Sequence, residues 1–164
     1  QTADELYRRA AQAIAESGTR SLLDLFCGIG VFSLTAASHL QHGFGVEISP
    51  HSIRCAESSA ALNNIKHISF GAGDAGAFLK TVLPGKFDTI LCNPPRRGCG
   101  QEIIAAILRA APRAVIFSSG GPESLAADII GLRPEYELKS LSPFEMFPFT
   151  EHLEVLAVLS KTSS

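Results

Sequence analysis

Short apolar runs alternate with stretches of helical spacing along almost the whole of this 164-residue sequence. Leu22 to Cys27 reads as a buried strand, and runs at 44–48, 67–73, 87–93 and 113–119 repeat the pattern. Helical spacing fills the intervals at 30–40, 50–63, 75–83 and 102–111, and again at 122–132. A further helix over 3–17 precedes the first strand: Leu6, Ala10, Ala13 and Ile14 fall on one face, and Gly18 follows as a stop. Strands separated by helices cannot pair through tight hairpins, so these five should lie parallel with crossover helices between them. The tail breaks the rhythm, because 136–144 and 152–161 are strand-like runs joined by a short segment containing Pro148. They should pair antiparallel. The expectation is an α/β fold with a central seven-stranded sheet, a terminal antiparallel hairpin and helices on both faces. A dinucleotide-binding dehydrogenase would instead finish its six strands in parallel.

The length suits one domain over 1–164, and 46% hydrophobic residues supply its core. Net charge −2 excludes a chain that grips a polyanion by overall charge, so RNA contact by this chain alone should be weak and local. No apolar run reaches membrane-spanning length and no signal peptide heads the chain, which gives a cytoplasmic reading. Cys27, Cys55, Cys92 and Cys99 form no CxxC pair, and the histidines are equally dispersed, so no metal is expected and the thiols should be reduced. The sequence opens at Gln1, without Met and within a helical stretch, and is expected to be a piece of a longer protein.

Asp24-Leu25-Phe26-Cys27-Gly28-Ile29-Gly30 closes the first strand and opens the following helix. Gly28 and Gly30 allow a tight turn and a close backbone approach to a ligand. Ser33 stands where a dinucleotide fingerprint has its third glycine, and the acidic Asp24 favours a ligand carrying positive charge. Glu47 ends the second strand, where a carboxylate can accept both hydroxyls of a ribose. Asp74 has two readings, acceptor for an adenine amino group or N-cap of the next helix. The string Asn93-Pro94-Pro95-Arg96-Arg97-Gly98 after the fourth strand is more specific. Two prolines stiffen it, so the Asn93 amide is held ready for a cofactor or substrate group, and Arg96 and Arg97 are candidates for phosphate.

Taken in order, DLFCGIGVFSL, GVEIS, LCNPPRRG, SLAADI and FPFTEHLEVL resemble the RNA uridine-C5 methyltransferases, and NPPRRG is most similar to their ribosomal branch. The resemblance covers nearly the whole chain and implies the carboxy-terminal catalytic domain of such an enzyme, with a class I Rossmann-like methyltransferase fold. It implies S-adenosylmethionine as cofactor and S-adenosylhomocysteine as product, with Phe26, Glu47 and Asn93 at family cofactor positions. Gln1 is a candidate for the family's cofactor-contacting glutamine, although its spacing to Leu6-Tyr7 is short. In the family's chemistry a cysteine thiolate adds to C6 of uracil, the resulting enolate takes the methyl at C5, and a base removes the C5 proton. Glu154 matches that base.

The nucleophile is missing. Where the family reads Ser-Ser-Cys-Asn, this chain reads Ser118-Ser119-Gly120-Gly121, so Gly120 occupies the cysteine's position without a side chain. Cys92 and Cys99 flank the Asn93 loop, but neither is expected to replace it. Two alternatives therefore stand beside a uracil-C5 methyltransferase domain. One is a non-catalytic S-adenosylmethionine-binding module associated with RNA. The other is a methyltransferase of different acceptor chemistry, against which Arg96 counts, since Asn-Pro-Pro in amino-methylating enzymes is usually followed by an aromatic residue.

Overall fold

The computed structural model describes residues 3–146 and 153–162. Helix α1 (Ala3–Glu16) leads into β1 (Ser21–Leu25), and the chain continues through α2 (Val31–Thr35), β2 (His42–Glu47), α3 (Pro50–Leu62) and β3 (Ile68–Ala72). Then come α4 (Ala75–Leu79), β4 (Thr89–Cys92), α5 (Gln101–Ala110), β5 (Ala114–Ser119), α6 (Pro122–Leu132), β6 (Tyr136–Glu145) and β7 (Leu153–Lys161). The sheet has seven strands in the order β3-β2-β1-β4-β5-β7-β6. The first five are parallel, and β7 runs antiparallel between β5 and β6. No helix among the described residues is long and apolar enough to cross a membrane.

Both faces of the sheet are covered, which explains why its central strands read as unbroken apolar runs. Side chains alternate across the pleat. Leu22, Leu91, Ile116 and Leu156 pack with residues of α1, α2 and α3, whereas Leu23, Ile90, Val115 and Ala157 pack with α4, α5 and α6. The same alternation turns Asp24 toward α2.

Two helices fall short of the sequence expectation. The helix expected over 30–40 ends at Thr35, and a turn of 3₁₀ helix (Ala37–His39) follows, with His39 and Leu40 bonding back three residues as the chain bends into β2. The helix expected over 75–83 ends at Leu79: the N–H and the hydroxyl of Thr81 both donate to the Phe78 carbonyl, at 2.9 and 2.7 Å, which tightens the final turn. Gln1, Pro148 and the start of the strand expected from 152 lie outside the described residues.

Candidate active site

Strand order reverses between β1 and β4, and in open α/β sheets ligands bind beyond the carboxyl ends of the strands at such a point. The turn after β1 is wound tightly there. Phe26 has φ 60, rare for a residue with a side chain, and Gly28 and Gly30 follow at φ 53 and φ 80. A Cβ at Gly30 would lie 2.7 Å from the Phe70 ring, so only glycine lets this turn sit against β3. The Cys27 N–H donates to the Val46 carbonyl and ties the turn to β2.

Glu47 braces the same turn. Its Oε2 accepts from the Gly28 N–H at 3.2 Å and its Oε1 from the Ser49 N–H at 3.0 Å, leaving each oxygen a free lone pair. Asp74 caps α4 by accepting from the Ala77 N–H at 2.8 Å, and its exposed carboxylate also faces the cleft, so its two readings are compatible. The Asn93 N–H donates to the Leu25 carbonyl, while its side-chain amide makes no hydrogen bond among the described residues. A cleft of about 400 Å³ is lined by these groups with Phe26, Pro94, Pro95 and Arg97.

Asp24 lies beneath this turn and does not line the cleft. It is fully buried, Ser33 Oγ donates to its Oδ2 at 2.5 Å, and its Oδ1 has no partner. Burial pushes its carboxyl up to about 7; Ser33's hydrogen bonds oppose this and the nearby Glu47 charge adds to it.

A second cleft, of about 380 Å³, shares the Asn93-Pro94-Pro95 wall and is otherwise lined by Arg96, Gly120, Met146, Leu153 and Glu154. Pairing of β7 with β5 brings Glu154 beside the Gly120 turn. Ser118 Oγ donates to Glu154 Oε1 at 2.7 Å, and a Cβ built on Gly120 would lie 3.0 Å from Glu154 Oε2. Burial raises the Glu154 carboxyl above its ordinary value, while the Ser118 hydrogen bond and the Arg96 charge draw it back. Two residues given one role from sequence thus separate: Arg97 lines the first cleft and Arg96 the second.

Burial disfavours the thiolate at two of the remaining cysteines. Cys92 is fully buried, and burial, with Cys99 and Asp128 adding to it, holds its thiol well above the ordinary range. Burial also raises the Cys27 thiol, with Asp24 and Glu47 contributing. Sequence reasoning passed over Ser118, which holds Glu154, and Asp128, whose buried carboxylate accepts from the Cys99 and Gly100 N–H groups at 2.8 and 3.2 Å. Asp128 had a signal: it occupies the apolar face of α6, in step with Leu125 and Leu132. Among the described residues no cluster of His, Cys, Asp and Glu could hold a metal ion.

Known proteins are similar on every level. The chain is 40% identical over 162 residues to the 23S rRNA (uracil(747)-C(5))-methyltransferase RlmC of Shewanella oneidensis, a match covering 98% of this chain and 42% of the relative. The Shewanella baltica protein of the same name is also 40% identical, with 98% and 41% covered. The chain thus spans about two fifths of the length of these curated relatives. The Pyrococcus abyssi tRNA (uracil-54, C5)-methyltransferase, solved in complex with S-adenosyl-L-homocysteine, superposes with a TM-score of 0.82 at 25% identity, covering 94% of this chain and 37% of that one. A putative RNA methyltransferase of Pyrococcus horikoshii, 13% identical with a TM-score of 0.77 and covering 99% and 86% of the two chains, shares the fold. Residues 16–119 match the family described as Methyltransferase domain. Residues 79–162 match the family described as tRNA (Uracil-5-)-methyltransferase, and it is to this family that the chain belongs.

Proposed function

We propose that this chain is the S-adenosylmethionine-binding domain of an RNA uracil-C5 methyltransferase that in its intact form acts on ribosomal RNA, with the nucleophile absent from its acceptor cleft. The observation that carries this reading is the wall Asn93-Pro94-Pro95, common to two clefts with different chemistry. One side offers the Glu47 and Asp74 carboxylates beside Phe26, as a nucleoside with a cationic amino-acid tail requires, while Gly28 and Gly30 shape the turn without lining the cleft. The other offers a half-buried carboxyl beside an open glycine.

The first cleft fits the cofactor. Lone pairs remaining on Glu47 suit ribose hydroxyls, the unpartnered Asn93 amide is available, and the orphaned Asp24 oxygen leaves unsatisfied negative polarity beneath the turn. When bound, S-adenosylmethionine would supply an electrophilic methyl group. On the acceptor side, Ser118 holds the Glu154 carboxyl, and burial raises its proton affinity as suits a group that must accept a proton from carbon. At 120 there is no thiol to add to C6, so the proton that Glu154 would remove is never made labile. Gly120 favours a second reading beside the first, a non-catalytic cofactor-binding module associated with RNA.

Calorimetric titration with S-adenosylhomocysteine tests the cofactor site. Glu47→Ala should weaken binding roughly ten- to a hundredfold, the loss of charge-assisted hydrogen bonds worth ~1.5–3 kcal/mol. Unchanged affinity would remove Glu47 from the site. RNA containing 5-fluorouridine tests the acceptor side: the chain as it stands should form no denaturant-resistant adduct. An adduct would identify another cysteine as nucleophile.

A further inference from the structure

The wall between the clefts is a loop poor in backbone tethers. Pro94 and Pro95 have no N–H to donate, and Gly98 N–H closes a turn onto the Pro95 carbonyl inside the loop itself. Beyond the Asn93 N–H at its start and the Gly100 carbonyl, which accepts from the Ile104 N–H of α5, its backbone groups at 96, 99 and 100 are bonded among the described residues by side chains of α6. Ser124 Oγ lies 2.7 Å from the Arg96 carbonyl, to which it donates, and Asp128 accepts from the N–H groups of Cys99 and Gly100. Residues 124 and 128 lie one turn apart in α6, so both side chains look toward the loop, and Gly121 precedes them at the helix's N-cap.

Contact there is close enough to exclude ordinary side chains. A Cβ on Gly98, at φ +82, would lie 2.8 Å from Asp128 Oδ2, and one on Gly121 would lie 2.3 Å from the Arg96 carbonyl oxygen. Asp128 is 5% exposed on a helix face where an apolar residue would pack without a desolvation cost. The cost of burying a carboxylate at such a place is offset by what it binds, and what it binds is the end of this loop.

We propose that Asp128 is a positioning residue for cofactor binding: from α6 it fixes the wall shared by the two clefts and thereby sets Asn93 and Arg97 against the cofactor. This rests on the cofactor reading of the first cleft. Asp128 touches neither cleft, so its effect on binding passes through the loop. Releasing the Cys99 and Gly100 N–H groups lets the loop sample other positions, and the Asn93 amide is then paid for in entropy at each binding event.

The test compares Asp128→Asn with Thr89→Val. The second variant breaks the buried 2.6 Å Thr19–Thr89 hydrogen bond at the far end of β4 and serves as a control for general loss of stability. In Asp128→Asn an amide N–H₂ replaces one acceptor oxygen opposite a backbone donor. Amide hydrogen exchange at Cys99 and Gly100 should accelerate, and S-adenosylhomocysteine should bind on the order of tenfold more weakly, as when an outer group that orients a metal ligand is lost. Thr89→Val should lower the melting temperature and leave the affinity unchanged. Equal affinity in Asp128→Asn despite faster exchange overturns the proposal, as does an equal loss in both variants. If Asp128→Asn does not fold, Ser124→Ala, which frees the Arg96 carbonyl, carries the same comparison: weaker binding with a native melting temperature supports the clamp, and unchanged binding overturns it. No binding by the unsubstituted chain refutes the cofactor reading first, and the inference with it.

Discussion

Asp24→Asn tests the electrostatics beneath the glycine turn. The Asp24 carboxyl ionises at about 7 in the folded chain, against an ordinary value of 3.8, mainly because it is buried. With the folded value above the unfolded one, the native state holds its proton more tightly. The stability linked to this proton is complete below the unfolded value and is lost as pH rises toward and through the folded one. A gap of about three pH units at 1.36 kcal/mol each makes the full loss ~4 kcal/mol. Between about pH 4.5 and about pH 8.5 the change should be ~3 kcal/mol.

Asparagine does not titrate, so the variant escapes that loss. It has its own cost, because Oδ1 has no partner and an N–H₂ placed there leaves buried donors unsatisfied, roughly 1–3 kcal/mol at any pH. The two effects separate by pH dependence. Urea unfolding of both proteins should show the variant less stable at about pH 4.5, and its stability relative to the unsubstituted chain should climb by ~3 kcal/mol at about pH 8.5, with unchanged m-values. A difference that stays flat to within ~1 kcal/mol across that range would refute the reasoning, since it would mean that Asp24 has the same proton affinity folded and unfolded.

Glycine positions supply two further tests. Gly121→Ala drives a Cβ to 2.3 Å from the Arg96 carbonyl and should cost about 1–3 kcal/mol by urea unfolding. Gly120→Ala meets the movable end of Glu154 at 3.0 Å and should cost less, on the order of 1 kcal/mol; equal costs would show that the loop at 96 yields freely. Gly45→Ala meets the Phe70 ring at 2.5 Å and Cys27 Sγ at 2.8 Å and should lower stability by about 1–3 kcal/mol, whereas Gly73→Ala meets nothing within 4 Å. A Gly73 variant as damaged as the Gly45 one would contradict the packing described between β2 and β3.

The succession of strands and helices and the terminal hairpin were legible because each depends on a local signal, an apolar run or the absence of a helix between two runs, whereas the order of the strands in the sheet was not. The Asn93 loop was legible for the same reason, since two consecutive prolines announce a stiff turn wherever they fall. Less legible was which way neighbouring residues face. Arg96 and Arg97 are adjacent in sequence yet line different clefts, and only the turn closed by Gly98 onto Pro95 decides it. Asp24 looked like a ligand contact because it precedes a glycine turn, but the pleat of β1 carries it under α2 to Ser33. Ser118 and Asp128 act through partners 36 and 28 or more residues away, on other elements; the place of Asp128 among the apolar residues of α6 marks it as buried, but no local pattern names the partners of either.

Gly120 and Gly121 differ in what their missing side chains mean. At 120 the space beside Glu154 is nearly sufficient for a cysteine, whose Cβ would touch the carboxylate at 3.0 Å. At 121 the space is taken, because the Arg96 carbonyl has the position that a side chain would occupy. Returning both residues to the family's Cys-Asn would therefore set the second substitution against the loop that forms the wall of both clefts. Gly120→Cys alone avoids that conflict, but it places a thiol against a carboxyl whose proton affinity burial has already raised. Two acids this close do not both ionise readily, so one proton would be shared between them over a wide pH range. The thiol becomes a nucleophile only where Glu154 keeps that proton, and Glu154 becomes a base only after the sulfur's charge has passed into the substrate. Adduct formation by Gly120→Cys with 5-fluorouridine RNA should accordingly speed up when Glu154→Gln is added, because the neutral amide no longer opposes thiolate formation, while turnover of ordinary uridine should be lost. A slower adduct in the double variant would show that Glu154 assists the attack on C6 and does not act as the later base.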